Sequence, residues 1–163
     1  CSSDSHKAEN HPLWSLGKVM TYVYAQELSE RGIIEGIKSG RVFMARGNAV
    51  LDFYAEEDGR TIFMGGGADD ISKTVFNVRL SQHPRGNLFI YLSGQVHDIV
   101  HFDGGECESY QFTVPLNQIG YDDNQYIRLE YYDELEAPRF WGDTPRTQSA
   151  LRLMSNPIYF KRK

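Results

Sequence analysis

From residue 50 onward, hydrophobic and polar residues alternate in short runs, the period-two pattern of strands with one buried face. VLDFYAEE (50–57) sets Leu51, Phe53 and Ala55 against Asp52 and Tyr54. KTVFNVRL (73–80) turns Phe76, Val78 and Leu80 one way and Val75, Asn77 and Arg79 the other. SYQFTVPL (109–116) directs Tyr110, Phe112 and Val114 to one face, and QYIRLEYYD (125–133) sets Ile127, Leu129 and Tyr131 against Arg128, Glu130 and Tyr132. TIFM (61–64), NLFIYL (87–92), QVHDIVHF (95–102) and SNPIYF (155–160) complete the set. Asp58-Gly59, Ser93-Gly94 and Gly104-Gly105 supply turns between runs. Residues 134–150 carry no period and read as a long loop. About seven to nine short strands at this spacing predict a mainly β protein, an immunoglobulin-like antiparallel β-sandwich.

The stretch before residue 48 has a different rhythm. TYVYA (21–25) and RVFMA (41–45) are β-prone, and a helix is predicted between them. Ser29 is a good N-cap, because its hydroxyl accepts a bond from an otherwise orphan backbone N–H. Leu28 and Ile33 have the spacing of a hydrophobic staple. Glu30 in the first turn and Lys38 in the last suit the helix dipole. Ile33, Ile34 and Ile37 make one apolar stripe. Gly32 and Gly36 share another face and each weaken the helix by roughly 1 kcal/mol relative to Ala, so that face is expected where the helix packs closely on a sheet. Gly40 is the left-handed cap. The chain thus divides into an irregular segment 1–20, a strand–helix–strand junction 21–47 and a β domain 48–163.

Composition narrows the function classes. The chain has 163 residues, 40% hydrophobic and 24% charged, long enough to bury a core. Its net charge is −5 with Lys and Arg scattered, which argues against nucleic acid or an anionic membrane surface as partner. No apolar run approaches the roughly 18 residues of a membrane span. Two cysteines, Cys1 and Cys107, are too few for a disulfide framework, and no C-x-x-C pair suggests structural zinc. A chain beginning CSS is expected of a fragment, with a cytoplasmic parent, or of a lipid-anchored mature lipoprotein held outside the cytoplasm through Cys1.

Candidate chemistry is sparse. Asp4 and His6, spaced D-x-H, fall on one side of an extended segment, and a carboxylate with an imidazole suits zinc, manganese or iron. On an isolated terminus the same pair is simply polar. Gly65-Gly66-Gly67 lacks the Lys-Ser/Thr of a phosphate-binding loop and reads as a plain loop. His97 and His101 would lie about 13 Å apart on one face of a strand, too far to share an ion. Tyr126, Tyr131, Tyr132, Phe140 and Trp141 offer either a sugar-stacking platform or ordinary packing, with alternation favouring packing.

Four segments carry a resemblance: SDSH (3–6), Leu16-Gly17, TYVYAQELSERGIIEGIKSGRVF (21–43) and SNPIY (155–159). Together they resemble the C-terminal part of PHP-domain proteins, the polymerase and histidinol phosphatase family of metallohydrolases, in the branch that appends a β-sandwich to the PHP barrel. Ser2 stands where that family usually has Gly. The resemblance implies that Asp4 and His6 are the last ligands of a site for divalent zinc, manganese or iron. An early His-x-His and further ligands would come from the barrel, which this chain lacks. It implies an accessory domain of a metal-dependent hydrolase, a phosphoesterase in the first instance, that does not catalyse by itself. Its expected partner is the N-terminal PHP barrel, with a homo-oligomer as a further expectation. The alternative is a stand-alone ligand- or carbohydrate-binding β-sandwich, anchored through Cys1.

Overall fold

The structure, a computed structural model, describes residues 19–119, 125–134 and 151–160. It is mainly β, built from antiparallel sheets packed as a sandwich, with one α-helix among the described residues. The strands are β1 (Val19–Val23), β2 (Val42–Arg46), β3 (Val50–Glu57), β4 (Arg60–Phe63), β5 (Gly67–Ala68), β6 (Val75–His83), β7 (Gly86–Leu92), β8 (Gln95–Phe102), β9 (Gly105–Phe112), β10 (Gln125–Asp133), β11 (Leu151–Ser155) and β12 (Ile158–Phe160). The helix α1 spans Glu30–Lys38 between β1 and β2.

Four strands form one sheet in the order β4-β3-β6-β9, and eight form the other. In the larger sheet β10 is the hub. Its Gln125–Ile127 end pairs with β12, its Glu130–Tyr132 end pairs with β11, and β7 runs along its other side. β11 continues to β2 and β2 to β1, so the strands flanking α1 belong to this sheet. β8 extends it beyond β7.

The core lies between the inward faces, and the alternation read from the sequence sets those faces. Leu51 and Ala55 are fully buried, as are Phe76, Leu80, Ile127, Leu129 and Tyr131. Phe76 stacks on Phe112 at a centroid distance of 5.1 Å and on Phe53 at 6.3 Å. The tail of the chain is divided differently from the single expected strand 155–160. It forms β11 and β12, which stop at either side of Asn156-Pro157 because proline has no N–H to give a ladder. β9 starts at Gly105, earlier than expected, because His83 and Ser81 of β6 pair with Gly105 and Cys107.

The helix is capped as its sequence predicts. Ser29 Oγ accepts from the Gly32 N–H at 3.0 Å, and Gly40 takes φ +69°. Gly32 and Gly36 form the buried face, and a Cβ on Gly36 would sit 2.6 Å from Val23 Cγ1 and 2.9 Å from the Tyr24 carbonyl oxygen. That close approach is the physical return for two poor helix formers. The expected staple is not made, because Leu28 is 98% exposed. The isoleucine stripe faces outward, with Ile33, Ile34 and Ile37 at 38, 42 and 53% exposure.

Three distant segments meet where α1 ends. Gly65 N–H donates to the Pro157 carbonyl at 2.8 Å, Asn156 N–H to the Val42 carbonyl at 3.1 Å and Asn156 Nδ2 to the Gly40 carbonyl at 2.9 Å. The triple glycine is therefore a packing element, and Gly67 opens β5, which pairs in parallel with β12.

One buried charge is fully employed in the fold. Glu57 is 5% exposed, its carboxylate accepting from the Asp70 N–H and from the Arg60 guanidinium. Burial alone would raise its pKa, but the backbone donor and Arg60 outweigh it and hold the carboxyl below its ordinary 4.5. A depressed folded-state pKa contributes stability above the ordinary value that is lost as pH falls through the folded one. The urea midpoint is therefore expected to drop on acidification below about pH 4.5, and Glu57→Gln to flatten that limb while lowering stability at neutral pH. An acid limb of unchanged slope in Glu57→Gln would remove Glu57 as its source.

Candidate functional site

The outward face of the four-stranded sheet carries a groove of about 570 Å³. Register builds it. Asp52 of β3 pairs with Arg79 of β6, which pairs with Ser109 of β9. One pleat along, Phe63 of β4 pairs with Tyr54, Tyr54 with Asn77 and Asn77 with Gln111. Side chains two residues apart on a strand share a face, so the two rows lie roughly 7 Å apart, with strands spaced about 4.8 Å. The result is a floor with aromatic rings at the β4 side and hydrogen-bonding groups across β3, β6 and β9.

The polar groups are held by one another. Asn77 is buried, and its Oδ1 accepts from Gln111 Nε2 at 2.5 Å. Asp52 Oδ2 lies 4.0 Å from Arg79 Nε, and Asp52 Oδ1 is 2.7 Å from the Tyr24 hydroxyl, which also reaches the Leu51 carbonyl. Burial, and after it the Asp52 bond, hold the Tyr24 phenol well above its usual range, so it stays a neutral donor. Arg79 Nε is 3.2 Å from Cys107 Sγ; the Cys107 contact is the largest cause that pushes the guanidinium further above its ordinary value, and the charge of Asp52 acts in the same direction. Arg41 sits over the Phe63 ring at 5.6 Å, a cation–π contact that fixes the ring at the rim.

The residues singled out by sequence are distributed otherwise. Asp4 and His6 lie outside the described residues, as do Phe140 and Trp141. His97 packs near Phe112 at 6.5 Å, while His101 turns to Asn87 Oδ1 at 3.1 Å and Glu134 at 3.4 Å, so the two do not converge. Tyr131 is fully buried, Tyr126 pairs with Tyr159, and Tyr132 packs edge-on to Phe89, so these three tyrosines form no common platform. Among the described residues no group of three or more His, Cys, Asp or Glu is placed to hold a metal. No described helix is long and apolar enough to cross a membrane.

The groove was not visible in the sequence. Alternation showed that Asp52, Tyr54, Asn77 and Arg79 face away from the core, but only pairing aligns them with Ser109, Gln111 and Phe63. No protein-family model, curated protein or solved structure matches the chain.

Proposed function

We propose that this chain is the C-terminal accessory β-sandwich of a larger PHP-family metal-dependent hydrolase, with phosphoesters as the first substrate class, and does not catalyse on its own. The observation that carries the reading is the open apolar face of α1. Ile33, Ile34 and Ile37 are part-exposed on a helix that is otherwise well capped and packed, and Leu28, just ahead of it, is fully exposed. Burying a fully exposed side chain of this kind is worth roughly 1.5–3 kcal/mol and a half-exposed one about half that, so the three isoleucines with Leu28 beside them favour being covered. On this reading the barrel precedes β1 in the chain, and α1 is the helix nearest to it. The barrel is therefore the occupant that the stripe receives. Two of the segments that carry the resemblance, at Gly40–Val42 and at Asn156, are joined by direct hydrogen bonds.

Asp4 and His6 would supply the barrel's final metal ligands, with zinc, manganese or iron lowering the pKa of a bound water and clamping the scissile oxygen. The 163-residue chain by itself is expected to show no phosphatase turnover when supplied with zinc or manganese. Micromolar metal affinity through Asp4 and His6 accompanied by turnover would overturn the proposal. The combined variant Ile33→Ser, Ile34→Ser and Ile37→Ser should leave the isolated chain's stability within about 0.5 kcal/mol per site, as exposed positions do. In the full-length parent it should let the sandwich melt separately from the barrel and speed proteolysis between them. A parent that melts as one unit despite these changes would sink the docking role. A lipobox signal peptide encoded directly before Cys1, instead of a barrel, would favour the lipid-anchored binding module.

A further inference from the structure

We infer that the groove on the four-stranded sheet binds a neutral polyhydroxy ligand, a carbohydrate in chemical class. The inference is independent of the barrel reading, since it uses only β3, β4, β6 and β9.

A phosphate or carboxylate entering the groove would be drawn by Arg79 but would meet Asp52, whose carboxylate lies 4.0 Å from the same guanidinium. The pair offsets itself, and among the described residues Arg79 is the one cation on the floor of the recess, Arg41 lying at its rim over the Phe63 ring. A cationic ligand is disfavoured by Arg79 in the same way. What remains on the floor is a balanced set of donors and acceptors. Arg79 donates only, Asp52 accepts only, and Ser109 does both. Gln111 commits one amide hydrogen to Asn77, which leaves its carbonyl and its second hydrogen available to a ligand. Hydroxyl groups, each at once donor and acceptor, match such a surface; a simple anion or a hydrocarbon does not.

Shape and apolar surface point the same way. Phe63, 45% exposed, and the half-buried Tyr54 stand side by side at the β4 edge. Arg41 occupies one face of Phe63, so the Tyr54 ring, with the edge of Phe63 beside it, offers the flat apolar surface on which the C–H face of a sugar ring can pack while its equatorial hydroxyls reach sideways to polar groups. The positions are preorganised. They sit on paired strands, Asn77 is locked by Gln111 and Asp52 by Tyr24, so little ordering is left for binding to supply.

The test is titration of the intact chain with a panel of neutral oligosaccharides (gluco-, xylo- and manno-configured, β- and α-linked), followed by two-dimensional amide NMR. The expected result is saturable binding of at least one member, with shifts confined to residues 52–54, 63, 77–79 and 109–111. Tyr54→Ala and Gln111→Ala should each weaken that binding by about tenfold or more, as loss of one good contact does, without changing Tm by more than a few degrees. Inorganic phosphate should not compete. Failure of every sugar to bind at millimolar concentration, competition by phosphate, or binding that Gln111→Ala leaves intact would each overturn the inference. Tyr54→Phe serves as a folding-neutral control: it keeps the ring and should retain most of the affinity.

Discussion

Gly65→Ala is expected to remove a large share of the protein's stability. Gly65 takes φ +81°, a conformation that a side chain disfavours by roughly 1–2 kcal/mol. The steric term is larger. A Cβ at this position would lie 2.0 Å from the Ser39 carbonyl oxygen and 2.7 Å from Gly40 Cα, both backbone atoms that cannot swing aside. Relief would require α1's C-terminus to separate from the glycine loop. The Gly65 N–H bond to Pro157 would go with it, and the Asn156 bonds to Gly40 and Val42 would be strained. A loss of about 4 kcal/mol or more is expected, a large share of what a domain of this size has. Chemical denaturation of Gly65→Ala beside Gly59→Ala separates the two causes. Gly59 has φ +80° but open space around its absent Cβ, so its variant reports backbone strain alone. Equal losses at both sites would show that the contact with Ser39 and Gly40 is unimportant.

Phe76→Ala is expected to cost about 3–5 kcal/mol. Phe76 has no exposed surface, lies near the start of β6 and stacks on both Phe53 and Phe112. Its removal leaves a void between partners fixed in neighbouring strands by ladder hydrogen bonds, so the site has little freedom to collapse. Because Phe76 points inward, the outward floor of the groove should keep its geometry. The urea midpoint should fall while the native-state amide shifts of Asn77 and Gln111 stay close to those of the parent chain. A loss under 1 kcal/mol would mean that the space above β6 refills, against the close packing described here.

Much of the β architecture was legible in the chain because its cause is local. Val78 and Asn77 are neighbours in sequence and face opposite ways whatever lies beyond them, since successive strand side chains alternate. The same holds for Ser29, whose hydroxyl caps the helix that begins one residue later, and for Gly40, whose φ of +69° ends it. Less legible was anything that depends on which strands become partners. Alternation assigns a residue to a face and not to a neighbour. Glu57 reads as one more polar residue at a strand end, and its burial follows only from the return of Asp70 across its carboxylate. Leu28 and Ile33 have the spacing of a staple, yet the chain ahead of α1 turns Leu28 into solvent.

By itself, then, the sequence determined the strand faces and the helix with its caps, because each is decided within a few residues by periodicity and backbone sterics. Only the tertiary structure decided that Gly65 abuts Ser39 and Gly40, that Asp52, Arg79 and Ser109 stand in one row, and that the isoleucines of α1 face outward. Those outcomes depend on the register of segments far apart in the chain, which is settled when the two sheets close on a common core.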